Sequence, residues 1–205
     1  MKHATSQELY DYWNRMRGDA PAPRRSDVEP SDIRRILADT FILEVIDREH
    51  FLIRLAGTRI CSIYCREVKG GDFLGLWSEE DRQAVATLAT AVSVDAAGAV
   101  ITADLTSARN QTVTCEFLLL PLRHASGGYD RILGSCAALT RPYWLGTDPI
   151  LHQRIASLRL IWPDDRPRFM RRASDRMPSP PPPIPFPFER RNRRAHLVVL
   201  EGGKR

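Results

Sequence analysis

Residues 40–56 read Thr-Phe-Ile-Leu-Glu-Val-Ile-Asp-Arg-Glu-His-Phe-Leu-Ile-Arg-Leu-Ala, and this stretch decides the fold. Thr40–Asp47 is rich in β-branched and aromatic residues and alternates around Glu44, while Phe51–Ala56 sets Phe51, Ile53 and Leu55 on one face. Both patterns predict strands. The charged Asp47-Arg48-Glu49-His50 between them reads as a turn, so the two runs form a hairpin.

Downstream, Gly57 and Thr58 open a short helical stretch with Ile60, Ile63 and Tyr64 on one side. Gly70-Gly71 breaks it, and Phe73, Leu74, Leu76 and Trp77 form an irregular apolar segment. Ser78 followed by Glu79, Glu80 and Asp81 is a cap with acids in the first turn, where they meet the positive end of the helix dipole. Val85, Leu88, Ala89 and Val92 give that helix one apolar face. Three strand-like runs follow, Ala99–Thr106, Thr112–Leu122 and Ile132–Thr140, with turns at Asn110 and Gly127-Gly128. In the middle run Thr112, Thr114 and Glu116 point one way and Val113, Cys115, Phe117 and Leu119 the other, the pattern of a half-buried antiparallel strand. Five such strands need a cover, and the helices between the second and third strands are there to supply it.

Upstream, Leu9, Trp13 and Met16 recur at helical spacing behind the possible caps Thr5 and Ser6, with Gly18 as a stop. Ile33, Ile36 and Leu37 after Pro30 suggest a second helix of a few turns. The chain therefore divides into an N-terminal helical segment (1–39), an α+β core (40–145), a connecting segment (146–162) and a tail (163–205).

Composition draws the last boundary independently. The chain has 205 residues, 43% of them apolar, enough for one domain with a core. Its net charge of +5 is unevenly placed: residues 1–162 hold 19 bases and 20 acids, residues 163–205 hold 11 and 5. Nine of the 15 prolines also fall after residue 162. Phe117–Leu122 is the longest apolar run, far below the roughly 18 residues that span a bilayer. With no apolar signal core near Met1, a reducing cytoplasm with free thiols is expected.

Phe51-Leu52-Ile53-Arg54-Leu55-Ala56-Gly57-Thr58 resembles the F-x-x-R-x-A-G-T segment of a bacterial single-domain PAS family of alphaproteobacterial type. Tyr64-Cys65-Arg66-Glu67-Val68-Lys69-Gly70 and Phe73-Leu74-Gly75-Leu76-Trp77 are similar to that family's Y-G-R-E-L-x-G-x-x-F-x-x-L-W, with Cys65 in place of a glycine. Arg24-Arg25-Ser26-Asp27 with Pro30, and the closing His196–Gly203, are further echoes. The resemblance implies a five-stranded antiparallel sheet in the order 2-1-5-4-3, covered on one face by short helices. The N-terminal helix and a flexible C-terminal tail flank it. It also implies cytoplasmic sensing or signalling, and no catalytic set.

A PAS module senses by holding a small ligand or a partner between sheet and cover. The candidates from the cover are Ile60, Ile63, Tyr64, Phe73, Trp77, Leu88 and Val92, and those from the sheet are Cys115, Phe117 and Leu119. Tyr64 and Trp77 stand out because each carries a polar group that needs a partner when buried. Haem is disfavoured because residues 57–97 contain no histidine, and flavin because Cys61 and Cys65 do not lie in an Asn-Cys-Arg-Phe-type motif. Cys61 and Cys65 are four apart but have no matching pair elsewhere, so no metal site is expected. No phosphate loop or Gly-x-Ser-x-Gly is present, so the expectation is a non-enzymatic sensor or adaptor.

Its output would then be a contact with an unidentified signalling protein. Arg190, Arg191, Arg193, Arg194, Leu197 and Val199 are the candidate contacts in the tail, where the stiff Pro178–Pro187 run yields to a strand-like His196–Leu200. A homodimer through Leu9 and Trp13 of the N-terminal helix is a further expectation by analogy. The alternative is a nucleic-acid-associated protein that binds through the arginine-rich tail.

Overall fold

The computed structural model describes residues 1–124 and 128–162. The candidate tail contacts Arg190, Arg191, Arg193, Arg194, Leu197 and Val199 lie outside the described residues. The elements in chain order are α1 (Ala4–Arg17), β1 (Thr40–Val45), β2 (Phe51–Ala56), α2 (Thr58–Tyr64) and α3 (Glu79–Asp95). They continue with β3 (Gly98–Ser107), β4 (Thr112–Leu122), β5 (Arg131–Ala138) and β6 (Ile150–Ile161). The strands form one antiparallel sheet in the order β2-β1-β5-β4-β3-β6. The expected 2-1-5-4-3 arrangement is present, with a sixth strand added beside β3. No helix among the described residues is long and apolar enough to cross a membrane.

The sixth strand falls in the segment read as a connection. Its pairing with β3 shifts register twice, at Thr102/Ala103 and Thr106/Ser107, which scrambles the period-two pattern that announces a strand. Most of its side chains are exposed besides, so no apolar stripe marks it.

Both faces of the sheet are covered. On one, α2 and α3 pack over Phe41, Leu43, Ile53, Ile101, Phe117 and Leu119. On the other, α1 and the 20–37 segment pack over Ile42, Val100, Leu118, Leu120, Leu122 and Leu133. β4 is therefore buried on both sides rather than half-buried, and both faces of β5 are apolar for the same reason: Ile132 and Cys136 meet one core, Leu133 the other.

The N-terminal helix differs in detail from expectation. His3 is its cap, with its ring Nδ1 accepting from the Thr5 N–H at 3.1 Å, while Thr5 and Ser6 are buried inside the first turn. Leu9 and Trp13 are fully buried against the sheet, and the indole N–H of Trp13 donates to the Pro121 carbonyl at 2.8 Å. This corrects their assignment to a homodimer contact, because both side chains are spent inside the chain. Beneath the start of α1 lies Glu116, only 1% exposed, whose carboxylate accepts the backbone N–H groups of Lys2 at 2.6 Å and His3 at 3.0 Å. The expected second helix around Ile33–Leu37 is instead a series of turns ending in a single 3-10 turn, Leu37–Asp39. Ile33 and Ile36 are still buried, so their spacing reflected packing on the sheet rather than helix formation.

Candidate functional site

Local backbone constraints place the cover. A Cβ on Gly57 would lie 2.3 Å from the Ala38 carbonyl oxygen and 2.4 Å from that of Leu37, so only glycine lets α2 start hard against the 37–39 turn. At the far end, Cys65 terminates α2 in the left-handed region (φ 50°, ψ 28°), a conformation natural to glycine, and its N–H donates back to the Cys61 carbonyl. Between these ends Ile60, Ile63 and Tyr64 point at the sheet.

All ten sequence-predicted pocket residues, Ile60, Ile63, Tyr64, Phe73, Trp77, Leu88, Val92, Cys115, Phe117 and Leu119, fall in the one core beneath α2 and α3. An aromatic chain crosses it: Phe41 stacks on Phe73 (centroids 5.6 Å apart), Phe73 meets Trp77 edge-on (5.9 Å) and Trp77 leans on Phe117 (5.3 Å). Ile60, Tyr64, Phe73 and Phe117 border a cavity of about 10 Å³, joined there by Phe41, Ile53 and Cys136. That space is at the scale of one water molecule.

The core also holds polar groups. The Tyr64 hydroxyl donates to Oε1 of Gln153, which β6 delivers fully buried. Nε2 of Gln153 and the indole N–H of Trp77 are buried with no partner among the described residues. Burial holds the Tyr64 phenol protonated well above the ordinary tyrosine range. The Cys136 thiol is pushed well above its usual range by a hydrogen bond with Cys115 and by burial, so it is an inert packing group at neutral pH. No sequence pattern marks Gln153, a lone amide in a strand whose burial does not alternate.

A second concavity, of about 500 Å³, opens on the outer side of α2 and brings together His3, Asp39, Arg59 and Arg141 from four separate segments. Asp39 is 4% exposed and ion-paired with Arg59. Burial raises its carboxyl above the usual range, against the opposing pull of Arg59, Arg141 and His3. No local sequence signal links these four residues.

The sequence pattern of the PAS domain matches residues 1–137. The chain belongs to the PAS family. PAS domains are generally sensory, non-catalytic modules, and no enzyme family is indicated for this one. No curated protein matches the chain significantly.

Among solved structures, this PAS chain is similar to a LOV protein of Rhodobacter sphaeroides, at 16% identity over 57% of this chain and 71% of that one, with a TM-score of 0.42. A light-oxygen-voltage domain described with a flavin analogue matches at 16% identity, TM-score 0.41, over 55% and 87% of the two chains. The PAS domain of an HTR-like protein from Haloarcula marismortui matches at 19% identity, TM-score 0.35, over 48% and 81%. These likenesses correct the reading that disfavoured flavin. LOV domains, one of them described with a flavin analogue, stand among the similar structures, so the statement that flavin is disfavoured is withdrawn. At this identity they concern the fold and assign no cofactor to this chain.

Proposed function

We propose that this PAS domain is a non-enzymatic sensor or adaptor of cytoplasmic bacterial signal transduction, acting through a ligand- or partner-dependent protein contact. The observation that carries the reading is the buried polar group inside an apolar core: Tyr64 bonded to Gln153, with Trp77 Nε1 and Gln153 Nε2 left as donors. Unpaired buried donors cost roughly 1–3 kcal/mol each, a cost that a small molecule bearing hydrogen-bond acceptors would offset. The core is otherwise filled, so such a molecule enters only by displacing α2 or the Phe73–Trp77 segment. Displacing the cover is then the signal, because a close-packed interior shifts between discrete arrangements.

Gln153 makes the transmission specific. It lies on β6, which also docks the start of α3 through the Ser78 N–H to Gln153 carbonyl bond of 3.0 Å, so a ligand engaging its side chain acts on the strand that leads into the tail. Native mass spectrometry of the protein purified from its own host tests this. A retained small-molecule mass that is lost in Trp77→Phe/Gln153→Met is expected. Protein that carries no extra mass, or whose extra mass survives both substitutions, overturns the ligand assignment.

A further inference from the structure

β6 leaves half of its outer edge open. Its first half is occupied, since the Ser78 N–H donates to the Gln153 carbonyl at 3.0 Å and the Asp81 carboxylate accepts from the Ile155 N–H at 2.8 Å. From residue 156 to residue 161 the strand is paired with β3 alone among the described residues. Leu158 and Leu160 are 47% and 38% exposed on the α3 side, and with Ala84, Thr87, Leu88 and Ala91 they border a groove of about 680 Å³. An open strand edge beside an apolar groove is a template for one more strand.

We propose that residues 196–200 of the same chain, His-Leu-Val-Val-Leu, cover this site as a seventh strand running parallel to β6, with Leu197 and Val199 on Leu158 and Leu160. Length fits: five strand residues span about 16 Å against about 20 Å of open edge. Connection fits as well. The chain leaves β6 at its Ile161 end, so a parallel strand requires a return along the sheet, and residues 162–195 supply 34 residues where a crossover needs a dozen or more. As polyproline, Pro178–Pro187 alone covers about 31 Å, most of the roughly 40 Å length of β6.

Charge selects the direction. β6 starts beside the start of α3, where Glu79 and Glu80 are exposed; Glu80 pairs with Arg154 at 2.7 Å, and Glu79 has no ion pair among the described residues. A parallel strand brings Arg190, Arg191, Arg193 and Arg194 to these acids, whereas an antiparallel one carries them past Ile161. A second copy of β6 could pair over the same six residues, but it must bring Arg159 together with its own Leu158 and Leu160. It also lacks the millimolar-scale effective concentration that a tether provides.

With the tail in place, the edge is closed to other proteins, and a partner gains it only by displacing residues 196–200. This holds whether or not the core binds a ligand. Amide hydrogen exchange on the full chain, read by mass spectrometry over residues 156–161, is the test. Exchange about tenfold slower in the wild type than in Leu197→Asp/Val199→Asp, independent of protein concentration, is expected. Glu79→Lys should give a partial loss that is greatest at low salt. Equal exchange in wild type and tail variant overturns the proposal, as does protection that survives the tail substitutions and falls on dilution, which gives the edge to a second copy. Protection unaffected by Glu79→Lys refutes the parallel direction.

Discussion

The Tyr64–Gln153 pair gives the sharpest test of the core. Both side chains are buried, they share one hydrogen bond, and the Gln153 Nε2 is already unpaired. Tyr64→Phe removes the donor and leaves the whole amide buried without a partner, a loss of about 2 kcal/mol. Gln153→Met removes the acceptor and strands the tyrosine hydroxyl, but it also removes the unpaired Nε2, so the two polar penalties nearly cancel. The net loss is then about 1 kcal/mol, the worth of the hydrogen bond itself. The double variant leaves no polar atom at this point and should lie within about 0.5 kcal/mol of the wild type. The coupling between the sites is therefore about 3 kcal/mol, well outside the roughly 0.5 kcal/mol within which independent sites add. Urea unfolding of the four proteins, compared at unchanged m, measures it. A double variant about 3 kcal/mol less stable than the wild type would refute the reasoning, because the two penalties would then be independent.

Gly57→Ala drives a methyl group into the carbonyls of Leu37 and Ala38, backbone atoms that cannot step aside, and should cost about 3 kcal/mol or more. Gly75→Ala, whose Cβ meets nothing within 4 Å, is the matched control, and equal urea midpoints for the two would contradict the close approach. Glu116 accepts two N–H groups at the start of α1, and these hold its carboxyl below the usual range against burial. Its folded-state value is lowered, so its stabilising effect is present above the unfolded value near 4.5 and is lost as pH falls through the folded value. Exchange protection of residues 4–17 should fall with acid across that window in the wild type and stay flat in Glu116→Gln; parallel profiles would remove Glu116 from the account.

The meander and hairpin were legible because their runs are rich in β-branched, aromatic and aliphatic residues between turn residues, and the 57–64 cover because Ile60, Ile63 and Tyr64 share a helical face. Geometry also explains parts of the family resemblance. Arg54 pairs with Glu44 across β1 and β2, Gly57 is the close approach to residues 37–38, and Cys65 occupies a left-handed position where glycine is unstrained. What stayed hidden depended on distant partners. Glu116 looks like a solvent-facing residue until Lys2 and His3 descend on it. β6 lacks alternation because of its bulges, and with it Gln153, which completes the polar core, went unseen.

The central pairing of β1 with β5 joins Thr40 to Ser135. During synthesis at about 5–20 residues per second, the β1–β2 hairpin waits roughly 5–20 s for the strand that pairs with the open edge of β1. Sheets closed by contacts so remote in sequence fold in milliseconds to seconds even once the chain is complete. The unpaired edge of β1, Thr40–Glu44, is therefore the part of the hairpin most exposed to misassociation during biogenesis. Substitutions that tighten the hairpin turn at Asp47–His50 should raise soluble yield without changing the finished fold.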